Sequence, residues 1–467
     1  MKASEFIAAT LLIAGAGSSF AAANPVNPLY HSPTALVIDR SGAHLYAADK
    51  TASQIVEMDL RGGKATHNIP LPGHPTGIAF NLAEDRLYVT AEAPANSVYI
   101  VNLKDRKVES VLPVGHEPTA PVLSADGSTL YVCNRFDNDV SIVDLNSIGL
   151  STIALKQKRE VKRIPVVRQP IAAELTADGK WLVVGNAEPA GRATDASVAS
   201  AVSLIDTQRG EVAANIRLPN GGVSIRGVAV SPDNRFAFVS HVLARNRVPA
   251  TQLEEGWLAA SAVTVIDLEN RWRIGTFLLD QTHRGAGNPW GLAVTGDGRK
   301  LCVNLAGVHE MAIVELPRLL EELEKLRTGA TSTAGSQVLQ VGYRAGGGQP
   351  DTDMTFLQPY LNRIHLRGSG PRPIVIRGDR VYAGMYFTGT VEPVDLDSSV
   401  PTPDVLRLGS QPLESFARRG ERRWVELGPY KRRNWKFKKY EEPVVFRSDA
   451  SCHVDRAFPN SRRLCSV

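Results

Sequence analysis

Apolar and polar residues alternate along most of this chain in runs of four to seven, with turn residues between the runs. Such alternation predicts strands with one face buried more deeply than the other. One pattern recurs. A proline opens an alternating segment, and a turn built on Asp-Gly or its equivalent follows. Then come a Leu-Tyr-Val segment, a polar loop, a Val-x-Ile-Val-Asp-Leu segment and a return segment. A clear copy runs His74-Pro75-Thr76-Gly77-Ile78-Ala79-Phe80, Leu87-Tyr88-Val89-Thr90 and Ser97-Val98-Tyr99-Ile100-Val101-Asn102-Leu103. The next runs His116-Glu117-Pro118, Ser124-Ala125-Asp126-Gly127, Leu130-Tyr131-Val132-Cys133-Asn134 and Val140-Ser141-Ile142-Val143-Asp144-Leu145. Others begin near His31, Gln169, Val223, Pro289 and Pro371, about 40 to 80 residues apart.

Seven units of four short segments predict seven four-stranded antiparallel sheets. One such sheet has two apolar faces and cannot bury both alone. Stacking the sheets into a closed ring buries them and removes open edges. The expected fold is therefore all-β, a seven-bladed β-propeller. An N-terminal segment completing the short last unit (371–409) would lock the ring. The extra length of the long units falls in inserts. One runs from Val242 to Ala260. Another follows Glu315 and starts as a helix, with Leu319, Leu320, Leu323 and Leu326 on one face. The Gly-, Ser- and Thr-rich run from Thr328 to Gly348 reads as a surface loop. Asp144, Asp206 and Asp267 recur at third-segment ends, where carboxylates hold turns.

Composition narrows the class. Of 467 residues, 43% are apolar and 22% charged, with 39 Gly and 29 Pro. These values exclude a disordered chain, and no run reaches the 18 apolar residues of a membrane-spanning helix. The net charge of +5 speaks against a dedicated nucleic-acid binder. Residues 421–467 hold 12 Lys/Arg against 6 Asp/Glu, a net +6 that leaves −1 elsewhere. At the other end, Lys2, an apolar stretch from Phe6 to Gly17 and Ala21-Ala22-Ala23 read as an export signal (1–23) cut before Asn24. The expected location is periplasmic or secreted. Cys133 and Cys302 fall in buried strands, while Cys452 and Cys465 lie in the tail and can pair.

The repeat resembles the YVTN-type β-propeller family, through Leu87-Tyr88-Val89-Thr90 and Tyr131-Val132-Cys133-Asn134, over about residues 30 to 409. Four further stretches resemble those of exported bacterial propellers: Ser240 to Arg245, Thr251 to Trp257, Arg284 to Gly291, and Ala306 to Glu310. The resemblance implies a C-terminal c-type cytochrome domain of the cytochrome c peroxidase kind, carrying haem c. Ser415 to Arg422 is similar to the start of such a domain. Covalent haem needs Cys-x-x-Cys-His. Here Cys452-His453 is present, but Asp449 stands where the first Cys belongs, and the sequence ends 14 residues beyond His453. The expectation is that residues 410–467 form a poorly ordered, basic remnant tail, and that no haem is held.

Candidate chemistry lies where the loops leading into the first segments meet those after the second segments. The first set is His31, His74, His116, Gln169, Arg226 and Asn288. The second is Asn134, Asn186, His241, Asn304 and His309. His31, His74 and His116 supply imidazoles for a Zn, Cu or Fe site. The residues departing most from the plain repeat are His241, Arg245, Trp257, Asn288, Trp290, His309 and Glu310, a set suited to a ligand or partner site. Three readings follow: an exported docking scaffold for a periplasmic redox protein or small ligand, a haem-dependent redox enzyme, and a lactonase-like hydrolase.

Overall fold

The computed structural model describes residues 30–92, 94–146, 160–244, 258–328, 350–398, 400–402 and 404–409. Among them the chain forms seven antiparallel sheets, each made of strands in sequence order. Blades 1 to 7 span residues 33–70, 74–113, 118–165, 170–217, 222–278, 289–365 and 371–407. The molecule is a seven-bladed β-propeller. The second and third strands, such as Arg86–Glu92 and Ser97–Asn102, are buried almost throughout because both faces of each blade are covered. The outer strands, such as Lys64–Pro70, are mostly exposed, which accounts for their polar sequences.

Closure is visible in the core. Each neighbouring pair of blades shares its own apolar cluster, and the last one joins Leu45, Val56 and Met58 of blade 1 to Val391, Leu406 and Leu408 of blade 7. Arg377 of blade 7 also donates to the Arg40 carbonyl of blade 1. The lock differs from expectation. Blade 7 takes its outer edge from its own continuation, Val400–Pro401 and Leu406–Arg407, both paired to the strand Thr390–Asp395. His31 packs against Gly389 and Gly409, where a Cβ on Gly409 would lie 2.0 Å from Nε2. The chain thus returns beside its own start, and no outer strand need come from the N-terminal segment.

Two inserts behave differently from expectation. The blade 5 strands Phe236–Ala244 and Ala259–Asp267 pair along nine residues, so Val242, Leu243 and Ala244 are strand and the insert is shorter. The expected helix is present as Leu316–Thr328, with Leu316, Leu319 and Leu323 buried against the blade 5–6 core. Asp144, Asp206 and Asp267 each accept backbone N–H groups two or three residues on, as turn-holding carboxylates do. Cys133 and Cys302 are buried thiols pushed up to about 12 by burial, hence unreactive. The export signal, the loop 329–349, and the tail with Cys452, His453 and Cys465 lie outside the described residues.

Candidate functional site at the axial mouth

All seven inner strands carry a register shift against their second strands just after the proline position. A bulge re-aims a side chain. Here it turns the residue after the proline toward the axis. The lead-in residue contributes in blades 3 to 6, where Glu117, Gln169, Ser224 and Asn288 adopt left-handed backbone at φ 50 to 56°. Non-glycine residues adopt this conformation at a cost of about 1–2 kcal/mol. Going round the ring, the axis-facing positions are Thr34, Thr76, Thr119, Ile171, Arg226, Trp290 and Arg372.

The next position must be small or a proline, because inner strands crowd each other there. A Cβ on Gly227 would meet the Trp290 carbonyl at 2.7 Å, and one on Gly291 the Arg372 carbonyl at 2.4 Å. Side chains from the preceding blade also bond carbonyls at the starts of these inner strands. Thr34 donates to Pro75 O at 3.0 Å, Thr76 to Pro118 O at 2.5 Å, Ser240 to Trp290 O at 2.5 Å and Asn304 to Pro373 O at 3.0 Å.

The inner strands enclose a cavity of about 500 Å³ with two tiers. The outer tier is cationic and aromatic. Arg226 and Arg372 stack on Trp290, their guanidinium carbons 4.7 and 4.3 Å from its ring centroid, and Arg372 also lies 3.5 Å from the centroid of Tyr386. Lys50 and Arg135 complete this tier. They are neutralised: Lys50 pairs with Glu92 at 2.7 Å and Arg135 with Glu117 at 2.8 Å. Arg226 and Arg372 are not. Among the described residues neither has a carboxylate within ion-pair distance, and Nε of Arg372 is buried without a partner. Burial and the charge of Arg135 lower the pKa of Arg226, against the opposing pull of Glu188. Burial and the charge of Arg226 act the same way on Arg372, against the favourable pull of Tyr386. The inner tier is apolar, with Leu36, Ile78, Val228, Leu292 and Ile374 two residues further along their strands. That spacing is about 7 Å of strand rise.

Most of the residues singled out from sequence fall elsewhere. His31, His74 and His116 do not converge. His31 Nδ1 lies 2.6 Å from Asp49 Oδ2, His74 Nδ1 lies 2.8 Å from Ser53 Oγ, and His116 packs edge-on against Phe136. No group of three His, Cys, Asp or Glu suited to a metal occurs among the described residues. His31 is tied within blade 1, His74 reaches back to blade 1, and His116 packs within blade 3. Asn134, Asn186 and His241 sit one strand out from the axis and face into their sheets. They open matching hydrogen-bonded lines across strands two, three and four: Asn134–Ser141–Glu160, Asn186–Ser203–Asn215 and His241–Thr264–Thr276. His309 Nδ1 accepts the Gly370 N–H at 3.0 Å, joining blades 6 and 7. Glu310 is buried between Arg284 and Arg363. Asn288 stands exposed on the rim. Arg245 and Trp257 lie outside the described residues. Of the described members of the set, only Trp290 lines the cavity.

Arg372 was missed, and Arg226 was placed two positions early, as a lead-in residue. The signal was present: Arg226, Trp290 and Arg372 occupy the place that Thr34, Thr76 and Thr119 hold in the plainer repeats.

Burial pushes His241 down to about 4, so it is neutral near pH 7 and closed to acid–base exchange with solvent. The unfolded chain takes up a proton near pH 6.5 that the folded chain refuses until about pH 4. Stability therefore falls as pH drops from 6.5 toward 4. In His241→Asn, which copies blades 3 and 4, thermal melts between pH 4 and 7 should show a shallower acid loss than the parent.

No known protein-family profile matches the chain. It is 26% identical over 232 residues to hydrazine synthase subunit beta of Kuenenia stuttgartiensis, spanning 48% of this chain and 52% of that protein. It is 26% identical over 172 residues to antigen Lp49 of Leptospira interrogans, spanning 33% and 36%. It is 30% identical over 97 residues to uncharacterized protein YncE of Salmonella typhimurium, spanning 21% and 27%. The matches thus span about half or less of these relatives' lengths. A solved structure of Kuenenia stuttgartiensis hydrazine synthase superposes with a TM-score of 0.65 at 23% identity, covering 80% of this chain and 97% of that one. The chain is thus a propeller scaffold homologous to that beta subunit. No helix among the described residues is long and apolar enough to cross a membrane.

Proposed function

We propose that the chain is an exported binding scaffold that works at its axial mouth, beside c-type cytochrome electron transfer in the periplasm. The observation carrying this reading is the pair of guanidinium groups, Arg226 and Arg372, stacked on Trp290 with no carboxylate at ion-pair distance among the described residues, at the opening of a cavity built by all seven blades. Unpaired, partly desolvated cations are costly unless something anionic completes them. The cavity falls in the size range of small-molecule sites. Exposed Phe136 and Phe387 follow the second strands of blades 3 and 7, at the same end as the mouth, and suit a docking rim. The export stretch supports a periplasmic place, and the homologous hydrazine synthase chain is itself a subunit.

A photo-crosslinking amino acid at Asn288, on the rim, tests the reading in cells that export the chain. Adducts that stain for covalent haem are expected from Asn288 and not from a probe at Asp126, at the opposite end of its blade. Equal labelling from both positions, or adducts without haem, would contradict the cytochrome association.

A further inference from the structure

We infer that the axial cavity takes a small organic acid, with its carboxylate between Arg226 and Arg372 and its apolar body directed down the axis. The inference rests on reading the mouth as a binding site and names the class of ligand it selects.

Three features define that class. First, the two guanidiniums, neither with a carboxylate at ion-pair distance among the described residues, are held in place by stacking, Arg226 on Trp290 and Arg372 on Trp290 and Tyr386, whose hydroxyl Arg372 also bonds. Stacking fixes the plane of a guanidinium and leaves its edge free to donate. The buried Nε of Arg372 is a donor without an acceptor, a condition rarely left standing in a folded protein. A planar carboxylate is the matching acceptor for such donors. Second, burial lowers the pKa of both groups, the charge of Arg135 adding to it at Arg226 and the charge of Arg226 at Arg372, and an anion placed between them opposes both effects. Third, the wall beyond the cationic tier is apolar, formed by Leu36, Ile78, Val228, Leu292 and Ile374. An inorganic oxyanion satisfies the first tier and leaves the second filled with water. A fatty or aromatic acid satisfies both, its apolar body gaining from burial against the inner tier. A free acid and an acidic side chain on a docking protein share the carboxylate, but only the free acid brings an apolar body into the inner tier.

Isothermal titration of the full chain at low salt tests this with octanoate, octanol, octylamine, acetate and hexaglutamate. Octanoate should bind, octanol and octylamine should not, and acetate should bind at least about tenfold more weakly. Arg226→Gln and Arg372→Gln should each weaken octanoate about tenfold or more, with melting temperatures near that of the parent. The two variants serve as independent checks should one of them fail to fold. Octanol or octylamine binding as tightly as octanoate would overturn the inference. So would binding of hexaglutamate in place of octanoate, which would put the carboxylate on a partner and leave the mouth reading intact. If none of the probes binds while the Asn288 crosslinks form, the ligand class is wrong and the docking role stands. If both fail, the mouth is not a binding site.

Discussion

Glu310→Ala should lower stability by about 3–5 kcal/mol, the range for breaking a buried ion pair by removing one partner. Arg363 approaches Glu310 Oε2 through Nε at 2.7 Å and Nη2 at 2.5 Å, and Arg284 takes Oε1. Only 2% of the Arg363 side chain and 5% of the Glu310 side chain are exposed. Arg363 also donates to the carbonyls of Arg284 and Gly285, at 2.9 and 2.8 Å. Those bonds hold the loop that leads into the Trp290 strand. Removing the carboxylate leaves a buried guanidinium without its counter-charge, and the loop loses its anchor. Urea denaturation should show a lower midpoint, and Glu310→Gln should recover part of the loss. A Glu310→Ala protein as stable as the parent would show that the triad contributes nothing net. This assignment replaces the ligand-contacting role that the sequence gives Glu310.

Raising the pH from about 4.5 to 8 should destabilise the protein through Glu174, and Glu174→Gln should remove that sensitivity. Burial pushes the Glu174 carboxyl up to about 8, opposed only by the hydrogen bond that it accepts from the Val230 N–H at 3.2 Å. In the unfolded chain the same group ionises near 4.5. Between those values the folded state holds a proton that the unfolded state has released. Stability from this group is therefore greatest below pH 4.5 and declines as pH rises to about 8. The slope is at most one proton, roughly 1.4 kcal/mol per pH unit. Glu174→Gln keeps the acceptor oxygen and carries no charge, so its advantage over the parent should widen from pH 5 to pH 8. Melting curves across that range, with parent and variant in matched buffers, read it directly. Parallel curves would refute the buried-acid assignment. With His241 acting in the opposite direction below pH 6.5, the two groups together predict a stability optimum bounded on both sides.

The sequence carried the fold because each blade is a local pattern. Leu-Tyr-Val and Val-x-Ile-Val-Asp-Leu segments alternate at strand period, and turn residues separate them. Seven such sheets have few ways to hide their faces other than a ring. The site was harder to read, because it depends on where a bulge points one residue. The prolines draw the eye to the histidines before them, His31 and His74, yet the shift in register sends the residues after them, Thr34 and Thr76, to the axis. Arg226 is disguised further, since Ile225 stands where the other blades have proline. Buried roles were equally hidden. His241 looks like a candidate base until the strand Phe236–Ala244 places it against Thr264, and Glu310 until Arg363, 53 positions later, comes to rest on it. Pairings so distant in sequence leave no trace in a single repeat.

The central claim is a closed seven-bladed ring whose axis holds an organic acid against Arg226, Trp290 and Arg372. Crystals of the full chain soaked with 4-bromobenzoate, measured at the bromine absorption edge, test it most directly. The account predicts one anomalous peak inside the ring among Val228, Leu292 and Ile374, with the carboxylate reaching both guanidiniums. A ring without a bromine peak in its axis, or a carboxylate of the chain itself already bonded to Arg226 and Arg372, would contradict it.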